Sequence, residues 1–128
     1  KCMEKEVVYS TEAPKPIGPY SQAVWAGDTL FVSGQIALDP ASGELIQGNI
    51  ETETKAVLNN VKAILDMAGI GFSNIVKTSI FLKNMDDFAA VNAVYASYFT
   101  SDFPARETVQ VSKLPKDVNV EISVIAIR

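Results

Sequence analysis

Two stretches toward the C-terminal end of the chain alternate apolar and polar residues with a period of two: Arg106-Glu107-Thr108-Val109-Gln110-Val111 and Val118-Asn119-Val120-Glu121-Ile122-Ser123-Val124. That period marks strands with one buried face. A loop of six residues containing Leu114-Pro115-Lys116-Asp117 joins them. The pattern predicts a hairpin in which Val111 meets Val118, Val109 meets Val120, Thr108 meets Glu121 and Arg106 meets Ser123. The valines then share one face. Arg106, Thr108, Gln110, Asn119, Glu121 and Ser123 share the other, because a slip of one residue would exchange the two sets. In that register Arg106 is diagonal to Glu121, within reach for long side chains.

Earlier in the chain, Glu6 to Ser10 reads as a short strand. Thr11 to Pro19, with three prolines and a glycine, is an extended connection that cannot be helical. Ala23 to Ala26 and Thr29 to Ser33 flank Gly27-Asp28, a two-residue hairpin turn with positive φ at the glycine. Gly34, at the end of the second strand, marks a bulge or a close approach of a ligand or backbone. Apolar positions Val57, Leu58, Val61, Ile64, Leu65 and Ala68 recur at helical spacing between Asn49 and Ala68, with Gly69 placed to cap the end. Ile75 to Lys83 alternates again, with Val76, Thr78, Ile80 and Leu82 on one face. Asn84 or Asp86 then caps a helix running to about Phe99, with Phe88, Val91, Val94, Tyr95, Tyr98 and Phe99 as its stripe. Asn92 falls off that stripe and reads as a solvated asparagine. Tyr20 reads as a ring packed under its loop. Three strands, a helix, a strand, a helix and two strands predict an α+β fold, with both helices on one face of a mixed or largely antiparallel sheet. The other face would carry Ile125 and Ile127 beside the Arg and Glu.

Composition removes several classes of function. The chain of 128 residues has 48% hydrophobic and 20% charged residues and no apolar run of membrane-spanning length, which implies one soluble domain over residues 1–128. Met3 before a strand reads either as a natural start with Lys1 and Cys2 added ahead of it, or as part of an ordinary frayed terminus. With no secretory signal, the expected location is cytoplasmic. A net charge of −4 argues against nucleic acid as a partner. Zero histidines and one cysteine remove the usual general base and the usual metal ligands, so neither a metal site nor an internal disulfide is expected.

Several segments together resemble the Rid (reactive intermediate deaminase, or YjgF) family, specifically its RidA branch. They are Ile17-Gly18-Pro19-Tyr20-Ser21-Gln22-Ala23, Ser33-Gly34-Gln35-Ile36, Asn59 to Leu65, Phe88 to Tyr95 around Asn92, Phe103-Pro104-Ala105-Arg106, and Leu114-Pro115-Lys116-Asp117 followed by Glu121. The resemblance spans Met3 to Arg128. It implies a chorismate-mutase-like fold assembled as a homotrimer, sheets facing the centre, with three clefts between subunits. It further implies hydrolysis of 2-imino acids and their enamine tautomers (2-aminoacrylate, 2-iminopropionate, 2-iminobutyrate) to 2-keto acids and ammonia, without a cofactor. Carried over by position, Arg106 would hold the substrate carboxylate, Glu121 would position water, and Tyr20, Ser33, Gly34, Phe88, Asn92 and Thr108 would line the cleft. Thr108 departs from the cysteine many bacterial relatives carry there, which argues against a thiol-based role or regulation.

The residues suit that chemistry. A guanidinium pairs a carboxylate bidentately and stays charged. A protonated imine is already electrophilic, so a fixed water and one acid/base group suffice. Two rivals remain at this level: a sensor that binds a 2-keto acid without turnover, and a ribonuclease or translation inhibitor.

Overall fold

The computed structural model describes residues 4–128; Lys1, Cys2 and Met3, and with them the reading of the natural start, lie outside the described residues. Strands β1 (Lys5–Val8), β2 (Ala23–Ala26), β3 (Thr29–Gln35), β4 (Ile75–Leu82), β5 (Ala105–Gln110) and β6 (Val120–Ile127) form a single mixed sheet. Helices α1 (Ile50–Ala68) and α2 (Phe88–Ala96) complete the predicted order of elements. The sheet runs β1-β2-β3-β6-β4-β5, antiparallel except for the β4–β5 pair.

Local chemistry accounts for most of these elements. Ala26 pairs with Thr29 across the tight turn, and Gly27 takes the positive φ of 61° that the turn demands. Asn49 caps α1 by accepting from the Thr52 amide at 2.8 Å, and Gly69 ends it at φ 80°. The α1 stripe of Val57, Leu58, Val61, Ile64 and Leu65 is buried, facing Leu30, Ile80, Leu82, Val120 and Ile122 of the sheet. Each such side chain contributes about 2 kcal/mol by leaving water.

The predicted β5–β6 hairpin does not form. β5 pairs in parallel with β4, Thr78 beside Arg106, and the Val111 amide bonds the Leu82 carbonyl. β6 instead inserts between β3 and β4. Two physical reasons apply. Helix α2 is a crossover connection, which returns the chain parallel to the strand it left. β6 also carries an unbroken apolar row, Val120, Ile122, Val124 and Ala126, suited to the sheet centre, whereas β5 has no such row, with Arg106, Thr108 and Gln110 on one face and Glu107 on the other, and suits an edge.

The faces follow from this pairing. Arg106, Thr108 and Gln110 align with Thr78, Ile80 and Leu82 on the helix side, while Glu121 and Ser123 align with Phe81 and Ser79 on the open side. Val109, expected among the buried valines, lies on the open side and is 40% exposed. A register shift between Ile75 and Lys77 turns Val76 outward, against its predicted place beside Thr78. Asn84 caps only a short 3₁₀ turn (Met85–Asp87), and α2 stops at Ala96. Tyr98 and Phe99 follow in single i→i+3 turns packed against the core.

Candidate functional site

The side chains singled out in the sequence gather into two groups, one on each side of the sheet. On the helix side, at the β5 edge, the Arg106 guanidinium donates from Nη1 to Asn92 Oδ1 at 2.7 Å. Its carbon stands 5.1 Å from the Tyr95 ring centroid and 5.6 Å from that of Phe88. Cation–π contacts and a neutral acceptor hold the planar cation without neutralising it, so its charge remains available to an anion. Asn92, read above as solvated, is therefore a partner of Arg106. Tyr95 is buried, and its hydroxyl donates to Thr78 Oγ1 at 3.1 Å. Burial pushes its phenol pKa above the ordinary value, with the Thr78 bond and the Arg106 charge opposing. A cavity of about 410 Å³ opens here, walled by Asn92, Tyr95, Phe103 and Arg106. Two residues along β5, the buried Thr108 Oγ1 has no hydrogen-bond partner among the described residues.

On the open side a larger cleft of about 460 Å³ is lined by Tyr20, Ser33, Gly34 and Glu121. The register breaks between Val32 and Gln35, the bulge expected at Gly34. That glycine has a specific reason: a Cβ built on it would stand 2.7 Å from Glu121 Cδ and closer still to Oε2. Ser33 Oγ donates to the Ser21 carbonyl at 2.6 Å, and Gln22, fully buried, exchanges hydrogen bonds with both the amide and the carbonyl of Ser10 at 2.6 and 3.1 Å. These contacts pin the proline-rich segment along the cleft. Tyr20 is 52% exposed, so it does not pack under its loop as expected but stands at the cleft wall. Burial pushes the Glu121 carboxyl above its ordinary pKa.

Arg106 and Glu121 thus do not share a sheet face, as the hairpin register required. Within one chain they point to opposite sides, with Phe88, Asn92 and Thr108 in the arginine group and Tyr20, Ser33 and Gly34 in the glutamate group. Sequence reasoning missed Tyr95, which it assigned wholly to the core, and gave Lys15, Ile17 and Lys116 of the Glu121 cleft no role in the site, although Ile17 and Lys116 fall within the family motifs. No periodicity marks those three. No cluster of three or more His, Cys, Asp or Glu side chains able to hold a metal occurs among the described residues.

Comparison with known proteins settles the family. The family model described as endoribonuclease L-PSP matches residues 10–128. The chain belongs to that family, the YjgF or Rid proteins. This Rid chain is 53% identical over 122 residues to a RutC family protein of Pyrococcus horikoshii, covering 95% of the chain and 97% of that protein. It is 47% identical over 124 residues to a goat (Capra hircus) protein named 2-iminobutanoate/2-iminopropanoate deaminase, covering 97% and 90%. Its fold superposes with a TM-score of 0.95 on the crystal structure of a Rid family protein from Yersinia pestis, 47% identical, covering 98% and 100% of the two chains. No helix of the Rid fold described here is long and apolar enough to cross a membrane.

Proposed function

We propose that this Rid protein is an imine deaminase whose site is completed by a second copy of the chain. The observation that carries the proposal is the separation just described. Arg106 is a ready anion receptor in a cavity whose lining holds no carboxylate, and Glu121 is a poised carboxyl in a cleft with no arginine. Apposing the helix-side edge of one subunit to the open face of the next would bring the two halves together. The open face also exposes Phe31, Val109 and Ile127, an apolar surface suited to burial between copies. A cyclic trimer repeats such a contact three times.

In that composite cleft Arg106 grips the carboxylate of a small 2-imino acid, such as 2-iminopropionate, 2-iminobutyrate or the tautomer of 2-aminoacrylate. Phe88, Asn92 and Tyr95 keep the guanidinium oriented, and the unpartnered Thr108 hydroxyl offers one more hydrogen bond. Glu121 holds a water against the imine carbon and takes a proton as its oxygen adds. Glu121 returns that proton to the nitrogen, which leaves as ammonia while the carbinolamine hydroxyl gives its own proton to the freed carboxylate and becomes the carbonyl of the 2-keto acid. A carboxyl with a raised pKa is suited to taking and returning that proton. Ser33, Gly34 and Tyr20 shape the wall around Glu121. The goat relative's printed name supports the reaction class. The ribonuclease activity in the family's name finds less support in a chain of net charge −4 without histidine.

The test uses two inactive variants. Keto-acid release from 2-iminopropionate, generated in situ by an amino-acid oxidase, should exceed the spontaneous rate for wild type and not for Arg106→Ala or Glu121→Gln. Co-refolding the two variants in equal amounts should restore about a quarter of wild-type activity, since each composite site draws its halves independently from two subunits. An inactive mixture of correctly assembled oligomers would place both residues' work within one chain and overturn the composite site.

A further inference from the structure

The Glu121 cleft contains two cations that the reaction above does not use. Besides Glu121, its charged lining residues are Lys15 and Lys116. Four other basic side chains, Lys62, Lys77, Lys83 and Arg128, stand in ion pairs; neither cleft lysine does among the described residues.

Both are presented by backbone that cannot easily turn away. Lys116 has φ 55° and ψ 20°, and Asp117 follows at φ 56°, two successive left-handed residues that are not glycine. Such a conformation persists only where the surroundings impose it. Here they do. Asp117 Oδ2 pairs with Lys83 Nζ at 3.1 Å, and the Asp117 amide bonds the Leu114 carbonyl at 2.9 Å. Leu114 and Val118 are buried. Buried Glu53 accepts both the backbone amide and the side-chain amide of Asn119, at 2.8 and 2.7 Å. Every anchor lies on a neighbour, and Lys116 itself is left exposed at the cleft wall. Lys15 sits between Pro14 and Pro16, which hold it extended, and the Pro14 carbonyl is tied to Gln22 Nε2 at 3.0 Å. The same cleft also offers apolar lining, with Ile17, Ile36, Leu38 and Pro115.

We infer that Lys15 and Lys116 form an anion subsite for a second carboxylate, making dicarboxylic 2-imino acids such as iminosuccinate and 2-iminoglutarate substrates of this cleft. The inference rests on the deaminase reading, in which the carboxylate next to the imine is already assigned to Arg106. The side-chain methylenes lie along the apolar lining and the distal carboxylate reaches the ammonium groups. Hydrolysis is unchanged in balance: water adds across the C=N bond, ammonia departs, and a 2-oxo dicarboxylate is released.

Two measurements test it. With iminosuccinate from an L-aspartate oxidase and 2-iminopropionate from an amino-acid oxidase as paired substrates, wild type should show the higher kcat/KM on iminosuccinate. Lys116→Gln should raise KM for iminosuccinate about tenfold more than for 2-iminopropionate, the loss expected for one charge-assisted hydrogen bond, and Lys15→Gln combined with it should widen the gap. Calorimetric titration with 2-oxoglutarate and with pyruvate provides the second measurement, independent of turnover: the dicarboxylate should bind more tightly, and lose that advantage in the double variant. Equal effects of Lys116→Gln on both imines, or equal binding of the two keto acids by wild type, would overturn the subsite. If neither imine is hydrolysed while 2-oxoglutarate still binds in a lysine-dependent way, the deaminase reading falls and the anion subsite stands.

Discussion

Replacing Gly34 by alanine separates the chemistry of the Glu121 cleft from the stability of the fold. The new methyl carbon would stand 2.7 Å from Glu121 Cδ, so restoring carbon–carbon contact requires the carboxyl group to move by roughly 1 Å. The methyl meets the far end of a flexible side chain, not backbone, so Glu121 can give way by rotating. The cost in stability is that of an imperfect rotamer, about 1 kcal/mol, or a few degrees in Tm for a domain of this size. Gly34 is also outside the left-handed region, so alanine strains no backbone there. Activity should respond differently. A catalytic group displaced by 1 Å loses on the order of a hundredfold in rate, about 2.7 kcal/mol of barrier. The assay is keto-acid release from 2-iminopropionate beside a thermal melt of the same sample. A variant that melts within a few degrees of wild type and retains most of its kcat would refute the reasoning, because Glu121 would then have moved without consequence for turnover.

Glu121→Gln should abolish turnover yet stabilise the protein at neutral pH. Burial raises the carboxyl pKa in the folded state, so the folded protein binds the proton more tightly than the unfolded chain, and stability falls as pH rises from the ordinary value of 4.5 through the raised one. The glutamine variant escapes that loss, and urea melts should show its advantage at pH 7 and none well below 4.5. Arg106→Lys keeps a positive charge but loses the planar fork and the geometry of the 2.7 Å bond to Asn92, so kcat/KM should fall roughly 10- to 100-fold with little change in Tm, as expected for an exposed bidentate site. Tyr95→Phe removes the donor to fully buried Thr78 while keeping the ring under Arg106. It should cost about 1 to 3 kcal/mol in a urea titration and leave kcat/KM nearly intact, whereas Tyr95→Leu should lower both.

Much of the architecture was legible where a local rule decided it. Asn49 and Gly69 bracket α1, Gly27 turns the first hairpin, and Gly34 breaks the register of β3, each through chemistry confined to a few neighbouring residues. The alternation in β6 correctly separated Val120 and Val124 from Glu121 and Ser123. It could not say which strand lies beside which, because period two assigns faces and not neighbours. The alternation in β5 therefore suggested the hairpin that α2 precludes. On an edge strand the inward row need not be apolar, and Arg106, Thr108 and Gln110 occupy the helix side where a central strand would carry valines. Val76 escaped for a similar reason, since a bulge resets the parity that the pattern assumes. The resemblance named the motif residues of the candidate site, but their division between two sides of the sheet needed the strand order. Tyr95 was hidden because one side chain serves both the core and the bed beneath Arg106.

The placement of β6 also constrains when the chain can fold. It is the last of the six strands in chain order and it occupies the centre of the sheet, flanked by β3 and β4. Until it arrives, the β1–β3 meander and the β4–α2–β5 unit have no strand between them, and each presents an unpaired edge toward the gap. During synthesis these halves must wait for β6 to leave the ribosome, exposed to edge-to-edge association. Folding should accordingly be a single late event of high contact order. Losing β6 would then leave two pieces of sheet and no protein, rather than a fold with a frayed end.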